Sequence, residues 1–343
     1  MPHRSPLKLW KLALLLYAAT WFTTTFCRFG FDDGVLSRFL FAVCLSAAGV
    51  ESAALYWTQF CTVFWHAILF SGGLMFILTC HELGHFIQSR RFRVRSSPPL
   101  FLPMPFGAFG TLGAVIAMDE EVPNRRALFD IGISGPLAGL IPSLIFLYFG
   151  IKWSSIGPLP GGFEFGYPLL FQWAVYWIYG PLPPQMTLVM HPIAMAAWAG
   201  LLLTSINLMP FSQLDGGHVF YAMLGNHSYP AVKIIFTAVL IAVCWYQLWH
   251  WSLLLLLIVL AGIQHPPVRD GKLPISWFRC GLGWATLLFV FIGLAPTPLD
   301  IRQETPQKPV YYCEDHDNDN RPAPVSAFLF AYREIPAQKL LFP

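Results

Sequence analysis

The chain has 343 residues, of which 56% are hydrophobic and only 11% are charged. A soluble domain usually carries about 25% charged residues, so this composition excludes an ordinary soluble protein. A net charge of +3 with no basic stripe also excludes a surface that binds nucleic acid. Only eleven of the 18 acidic residues lie in the first 299 positions, and the rest belong to a polar tail, 300–343. The composition therefore predicts a multi-span membrane protein with a polar tail.

The N-terminal region, 1–61, begins with basic residues and continues into an apolar stretch that reaches Phe26. By the positive-inside rule, we expect a first membrane helix whose N-terminus lies in the cytoplasm. A shorter apolar stretch at 39–50 follows, and its length favours an interfacial or re-entrant piece over a full span.

The next predicted span, about 62–89, contains a metal-binding sequence pattern. Positions 52–80 hold no Asp, Glu, Lys or Arg, and His81-Glu82-Leu83-Gly84-His85 then fits H-E-x-x-H. Residues four apart share one helix face, so both imidazoles can bind one Zn²⁺ while Glu82 serves as the general base. Ionisable residues in an apolar helix are costly and indicate function. The alternative is a solvated helix end that happens to carry these residues.

The segment after this span is first basic and then apolar and rich in Pro and Gly. Four arginines, at positions 90, 91, 93 and 95, mark the cytoplasmic side. Positions 96–118 are apolar but rich in Pro and Gly, so they cannot form a regular helix. Irregular backbone at membrane depth must be buried in protein or line a wet cavity. The pattern favours a re-entrant hairpin beside a site, with a structured cytoplasmic loop as an equal alternative.

The rest of the chain predicts further spans. The span at 127–150 opens with the small residues GISGPLAG, which allow close helix packing in lipid. Positions 151–190 suit an extracytoplasmic loop with an interfacial aromatic segment near 171–179. A broken span, about 190–225, and the C-terminal spans, 226–299, complete an all-α polytopic fold of six or seven transmembrane helices. With this count, the tail lies outside the cytoplasm.

A catalytic zinc needs a third protein ligand, and Asp215 is the foremost candidate. It is the only acidic residue between Glu164 and Asp270, and it lies where the apolar span of 190–225 breaks. The alternative role for Asp215 is to cap the helix that follows. His218 can compete as a ligand, support one or simply pack. Asn207 can bind a substrate carbonyl or form a hydrogen bond to a backbone group left unpaired where the helix breaks.

The other histidines are weaker candidates. His66 lies in the same helix as the motif but more than four turns away, at about 22 Å. Four others are expected in interfaces or loops; they are His191, His227, His250 and His265.

The H-E-x-x-H pattern, together with N-x-x-P-x-x-x-L-D-G from Asn207 to Gly216, resembles the site-2 protease family of intramembrane zinc metalloproteases. Leu208 stands where that family commonly has a proline. The sequences GTLGAVIAM and NRRALFDIGISGPLAG, which lie between the two patterns, resemble the family's re-entrant hairpin and the span after it. The resemblance covers residues 62–225 by motif, which we take as the catalytic core of three spans.

The resemblance implies that His81, His85 and Asp215 bind one zinc and that Glu82 is the catalytic base. It implies a substrate that is the transmembrane segment of another protein, cut near the cytoplasmic face. It also implies that the hairpin from Phe106 to Met118 receives the unwound substrate as an added strand. We therefore expect a multi-pass protein of a bacterial-type cell membrane, with the lipid bilayer and a membrane-protein substrate as its partners.

Three other functions stay open at this point. A transporter or sensor that binds metal without cleaving would also place His and Asp in its spans, but it gives no reason for Glu82. An inactive member of the family that escorts membrane clients would be favoured by an altered H-E-x-x-H, and this one is intact. A zinc protease of soluble peptides is the third alternative, and it differs from an intramembrane protease in its choice of substrate.

Overall fold

A computed structural model of the chain describes a mainly helical protein. The described residues are 6–302 without 31–34, 48–52, 107–108, 118–121, 159–161, 184–185, 212, 247–250, 264, 266–267, 272 and 296–298. The predicted polar tail lies outside the described residues from position 303 onward. His250 also lies outside them.

Ten helices are present in the described part of the chain. They are α1 (Pro6–Gly30), α2 (Val35–Ala47), α3 (Ala53–Arg91), α4 (Arg125–Lys152), α5 (Leu169–Tyr179), α6 (Pro192–Asn207), α7 (Asp215–Leu224), α8 (Ser228–Trp245), α9 (Ser252–Ala261) and α10 (Trp277–Gly293). A short 3-10 helix, Gly225–His227, joins α7 directly to α8.

Among the described residues, three helical stretches are long and apolar enough to cross a membrane. They are Ala53–Arg91, Arg125–Lys152 and the continuous pair α7–α8, Asp215–Trp245. Two of these match the predicted spans at 62–89 and 127–150. The broken span predicted at 190–225 corresponds to α6, a shorter apolar helix that ends at Asn207, and to the start of the α7–α8 stretch at Asp215. The total of six or seven spans stays a prediction.

Short strands add to the helices, so the expected all-α class is incomplete. The strands are β1 (Leu100–Pro103), β2 (Thr111–Val115), β3 (Ser155–Pro158), β4 (Gly162–Phe165), β5 (Met186–Val189) and β6 (Leu299–Arg302). They pair antiparallel as β1–β2, β3–β5 and β4–β6. The two pairs outside the hairpin lie in Gly- and Pro-rich stretches where a helix cannot continue.

The Pro/Gly-rich segment forms the β1–β2 hairpin, with Leu100 opposite Val115 and Phe101 opposite Ala114. Helix α1 packs along it: Thr23 donates a hydrogen bond to the carbonyl of Gly110 at 2.6 Å, and Tyr17 meets Phe101 edge to face. A hairpin is thus present where one was expected, while its re-entry into the bilayer stays a prediction.

Helices α3, α4 and α6 pack against one another and form the centre of the molecule. One apolar cluster includes Leu74 of α3 and the fully buried Trp198 of α6. A second joins Phe129 of α4 to Val219 of α7 and to residues of α8, α9 and α10. These two clusters hold the elements that carry the site.

Candidate metal centre

Two histidines of α3 face α4 at a point where the two helices approach closely. His81 and His85 are one helical turn apart and buried, and Glu82 beside them is 5% exposed. The approach depends on Gly84, because a Cβ there would collide with the backbone carbonyl of Ser134. The apolar sequence of α3 therefore brings its few polar side chains against a neighbouring helix.

Glycines of α4 make room for both imidazoles. A Cβ at Gly135 would occupy the position of the His85 ring, and a Cβ at Gly139 would come 3.0 Å from the Cβ of His81. The small residues of GISGPLAG do allow close packing, as the sequence predicts. Their more specific effect is to leave space for the two histidines.

A sharp reversal between α6 and α7 brings Asp215 to the same place. Leu208 caps the C-terminal end of α6 and donates its N–H to the carbonyl of Thr204 at 3.0 Å, a bond that a proline there could not make. The chain then turns back, and Gly216 lies so close to the carbonyl of Leu208 that no Cβ would fit. The helix therefore still breaks between α6 and α7, although Leu208 replaces the proline that is common in the site-2 protease family.

The carboxylate of Asp215 contacts both histidines. Its Oδ2 lies 3.0 Å from Nε2 of His81 and its Oδ1 lies 3.2 Å from Nε2 of His85. The two Nε2 atoms are 3.2 Å apart, and all three side chains are at most 15% exposed. Asp215 is the first residue of α7 and Leu214 is the cap, so the capping alternative for Asp215 is not seen.

The donor set fits a zinc ion. The Nδ1 of His85 donates to the carbonyl of Ile131 at 2.8 Å, so its Nε2 presents a lone pair. This lone pair meets the carboxylate and the Nε2 of His81, and the three candidate ligand atoms lie within 4.8 Å of one another. Three ligand atoms that converge in this way can hold a single cation. Two imidazoles and one carboxylate are the ligands of a catalytic zinc with an open position.

The remaining predicted residues lie as follows. Glu82 is buried and interacts electrostatically with His85 and Asp215, and its role as the base stays a prediction. Asn207 is the half-buried last residue of α6, and its role toward a substrate stays a prediction. His66 is exposed on α3, in agreement with its exclusion as a ligand.

His265 lies in the loop between α9 and α10, as the sequence indicates, but its contacts are not predicted from the sequence. It touches His218 of α7 and stacks on Tyr221. Its distance of 47 residues from His218 leaves no signal in the sequence pattern.

Comparison with known families supports the same centre. The sequence profile of peptidase family M50 matches residues 69–246, slightly more than half of the chain. The matched region contains the histidine pair on α3 and Asp215 on α7.

Curated plant proteins are also similar. "Probable zinc metalloprotease EGY1, chloroplastic" of Oryza sativa subsp. japonica is 30% identical over 45% of this chain and 28% of its own length. Its Arabidopsis thaliana counterpart of the same name is 29% identical over 46% of this chain and 29% of its own length. "Probable zinc metallopeptidase EGY3, chloroplastic" of Arabidopsis thaliana is 26% identical over 66% of this chain and 42% of its own length. The matches thus span less than half of each relative, and no solved structure matches.

Proposed function

This chain belongs to peptidase family M50, and on that premise we propose that it is an intramembrane zinc metalloprotease. Its substrates are transmembrane segments of other membrane proteins, which it cuts in or near the bilayer. The proposal places this cleavage in regulated intramembrane proteolysis.

The observation that carries the proposal is the convergence of His81, His85 and Asp215 beside the buried Glu82. Three protein ligands leave one position open, as in catalytic rather than structural zinc sites. A glutamate directly after the first histidine has no purpose in a site that only stores or senses metal, but it is where a protease needs its base.

The chain's own residues account for the proton transfers of peptide hydrolysis. Zinc, when bound, supplies a Lewis acid that activates water and polarises the scissile carbonyl. Glu82 takes the proton of the attacking water and later gives it to the leaving amine. Asn207, at the end of α6, binds the substrate or the developing oxyanion.

The β1–β2 hairpin suits the reception of an unwound substrate. Its side chains Phe106 and Leu112 are 95% and 63% exposed, so it offers apolar surface as well as backbone. A helical peptide bond is shielded by its own hydrogen bonds, whereas a strand added to the hairpin exposes its carbonyl to the zinc.

The four arginines that follow the metal-binding end of α3 favour a cytoplasmic position for the site. The bacterial-type membrane of the sequence analysis stays a prediction, since the relatives named above are described as chloroplastic.

The decisive test is Glu82→Gln in the purified, reconstituted protein. Loss of the base should reduce cleavage of a membrane-spanning substrate by about 10²–10⁴-fold, while metal analysis still finds one zinc. Glu164→Gln, on strand β4, is the matched control and should cleave normally. A normal rate for Glu82→Gln would refute the mechanism.

The same assay separates the rival functions. Zinc binding by the wild-type protein without any cleavage would favour a metal transporter or sensor, or an inactive escort. Faster cleavage of a soluble peptide than of the same sequence within a transmembrane segment would favour a protease of soluble peptides.

A further inference from the structure

His218 lies beside the metal centre but outside the group of three candidate ligands. Its Nδ1 is 2.6 Å from Nε2 of His265, so one of the two nitrogens donates a hydrogen bond to the other. The rings meet nearly at right angles with centroids 4.7 Å apart. The ring of His265 in turn stacks on Tyr221 at 4.8 Å. His265 is therefore held both by its edge and by its face.

Helix α4 has a glycine opposite His218, as it has opposite each of the two zinc-binding histidines. A Cβ at Gly132 would come 2.9 Å from the Cβ of His218, just as Gly135 and Gly139 leave room for the other two. His218 also interacts electrostatically with Asp215. One helix face thus accommodates three imidazoles, and the metal centre accounts for only two of them.

The segment that carries His265 is anchored to the start of α4. Arg269 donates its backbone N–H to the carbonyl of Val122 at 3.4 Å, and Asp270 forms a bridge with Asn124. Arg126 then donates its Nε to the carbonyl of Pro274 at 3.0 Å. These links hold the segment between α9 and α10 against the helix that also borders the metal centre.

We propose that His265 is a positioning residue of the metal centre, which acts through its hydrogen bond to His218. Asp215 and His218 are three residues apart and share one face of α7. A fixed His218 therefore sets the rotation of the first turn of α7 and the direction in which the Asp215 carboxylate points. This inference rests on the proposed function, since it takes the three ligands to hold zinc.

The test compares two substitutions of similar size at His265. His265→Leu retains apolar volume against Tyr221 but removes the hydrogen bond, whereas His265→Gln keeps an amide nitrogen near the position of Nε2. Zinc affinity is measured by competition with a chelator, and the ligand geometry by the visible absorption of the Co²⁺-substituted protein.

The leucine variant should bind zinc about 10–100-fold more weakly, as losses of supporting hydrogen bonds at metal sites do, and should change the Co²⁺ spectrum. The glutamine variant should recover most of both. His227→Ala is the control, because His227 is exposed at the other end of α7. If the leucine variant does not fold, His265→Ala takes its place.

Unchanged zinc affinity and an unchanged Co²⁺ spectrum in the folded variant without the hydrogen bond would overturn the inference. So would a glutamine variant that is as weak as the leucine variant. Neither readout needs cleavage, so a wild-type protein that binds zinc but cuts nothing would refute the protease proposal and leave this test intact.

Discussion

At the residue scale, the absence of side chains is as important as their presence. Gly135 lies where the His85 ring must lie, and a methyl group there would overlap it. Because α3 and α4 are already in close contact at Gly84, the ring has little room to move away. The site therefore depends on a residue that binds nothing itself.

Gly135→Ala should weaken zinc binding by about 10–100-fold, since overpacking of a tight contact costs about 1–3 kcal/mol. Chelator competition on the purified protein measures this loss. Gly281→Ala is the control: Gly281 is also helical, but a Cβ there would meet nothing within 4 Å. If both alanine variants bound zinc like the wild type, α4 would not define the space for His85.

The residues that converge at the candidate metal centre could be singled out from the sequence, and the reason is physical. Carboxylates are so rare before position 300 that Glu82 and Asp215 stand out in apolar surroundings, where ionisable groups indicate function. The resemblance to the site-2 protease family is confirmed by the family match over residues 69–246. The contact of His265 with His218 depends on tertiary packing of a loop, which no local pattern encodes.

At the element scale, a bidentate ion pair links α10 to α4. Arg279 donates its Nε to Oδ1 of Asp130 at 2.8 Å and its Nη2 to Oδ2 at 2.9 Å. Asp130 directly precedes Ile131, whose carbonyl fixes the ring of His85. The last described helix is thereby tied to the backbone that orients His85, a candidate zinc ligand.

Arg279→Ala should lower the free energy of unfolding by about 1–3 kcal/mol, because it leaves the Asp130 carboxylate without its donors. Arg279→Lys should recover only part of this, since an ammonium group cannot make the paired contact. Thermal unfolding in detergent micelles measures both. The double variant Asp130→Asn/Arg279→Ala should be less destabilised than the sum of its single variants; simple additivity would mean that the pair contributes nothing.

The elements differ in how far the sequence predicts them. The spans at 62–89 and 127–150 are predicted from their largely apolar composition, and α3 and α4 are helices long and apolar enough to form them. The break of the third predicted span after Asn207 is seen between α6 and α7, but the sequence does not indicate that α7 runs on into α8. The α7–α8 stretch instead continues through a 3-10 turn for 31 residues. Strands of four or five residues, such as β3 and β5, are too short for a periodic signal.

At the scale of the whole molecule, one strand pair bears on membrane topology. Strand β6 pairs with β4, with Asp300 opposite Glu164. Paired strands lie about 5 Å apart, whereas the hydrocarbon core of a bilayer is about 30 Å thick. Both strands must therefore be on the same side of the membrane. The sequence predicts that 151–190 and the start of the tail lie outside the cytoplasm, which agrees with this pairing.

This topology predicts the outcome of labelling with a membrane-impermeant thiol reagent. In protein whose seven cysteines are replaced by serine, Arg302→Cys and Ser155→Cys, the latter at an exposed position of β3, should react from one side of sealed vesicles. Arg93→Cys, in the basic cluster after α3, should react only from the other side, because positive charges are retained in the cytoplasm. Detergent-opened vesicles, in which all three cysteines should react, provide the control for accessibility.

Reaction of Arg302→Cys and Arg93→Cys from the same side would contradict the arrangement. It would also require an even number of crossings between the metal-binding end of α3 and β6.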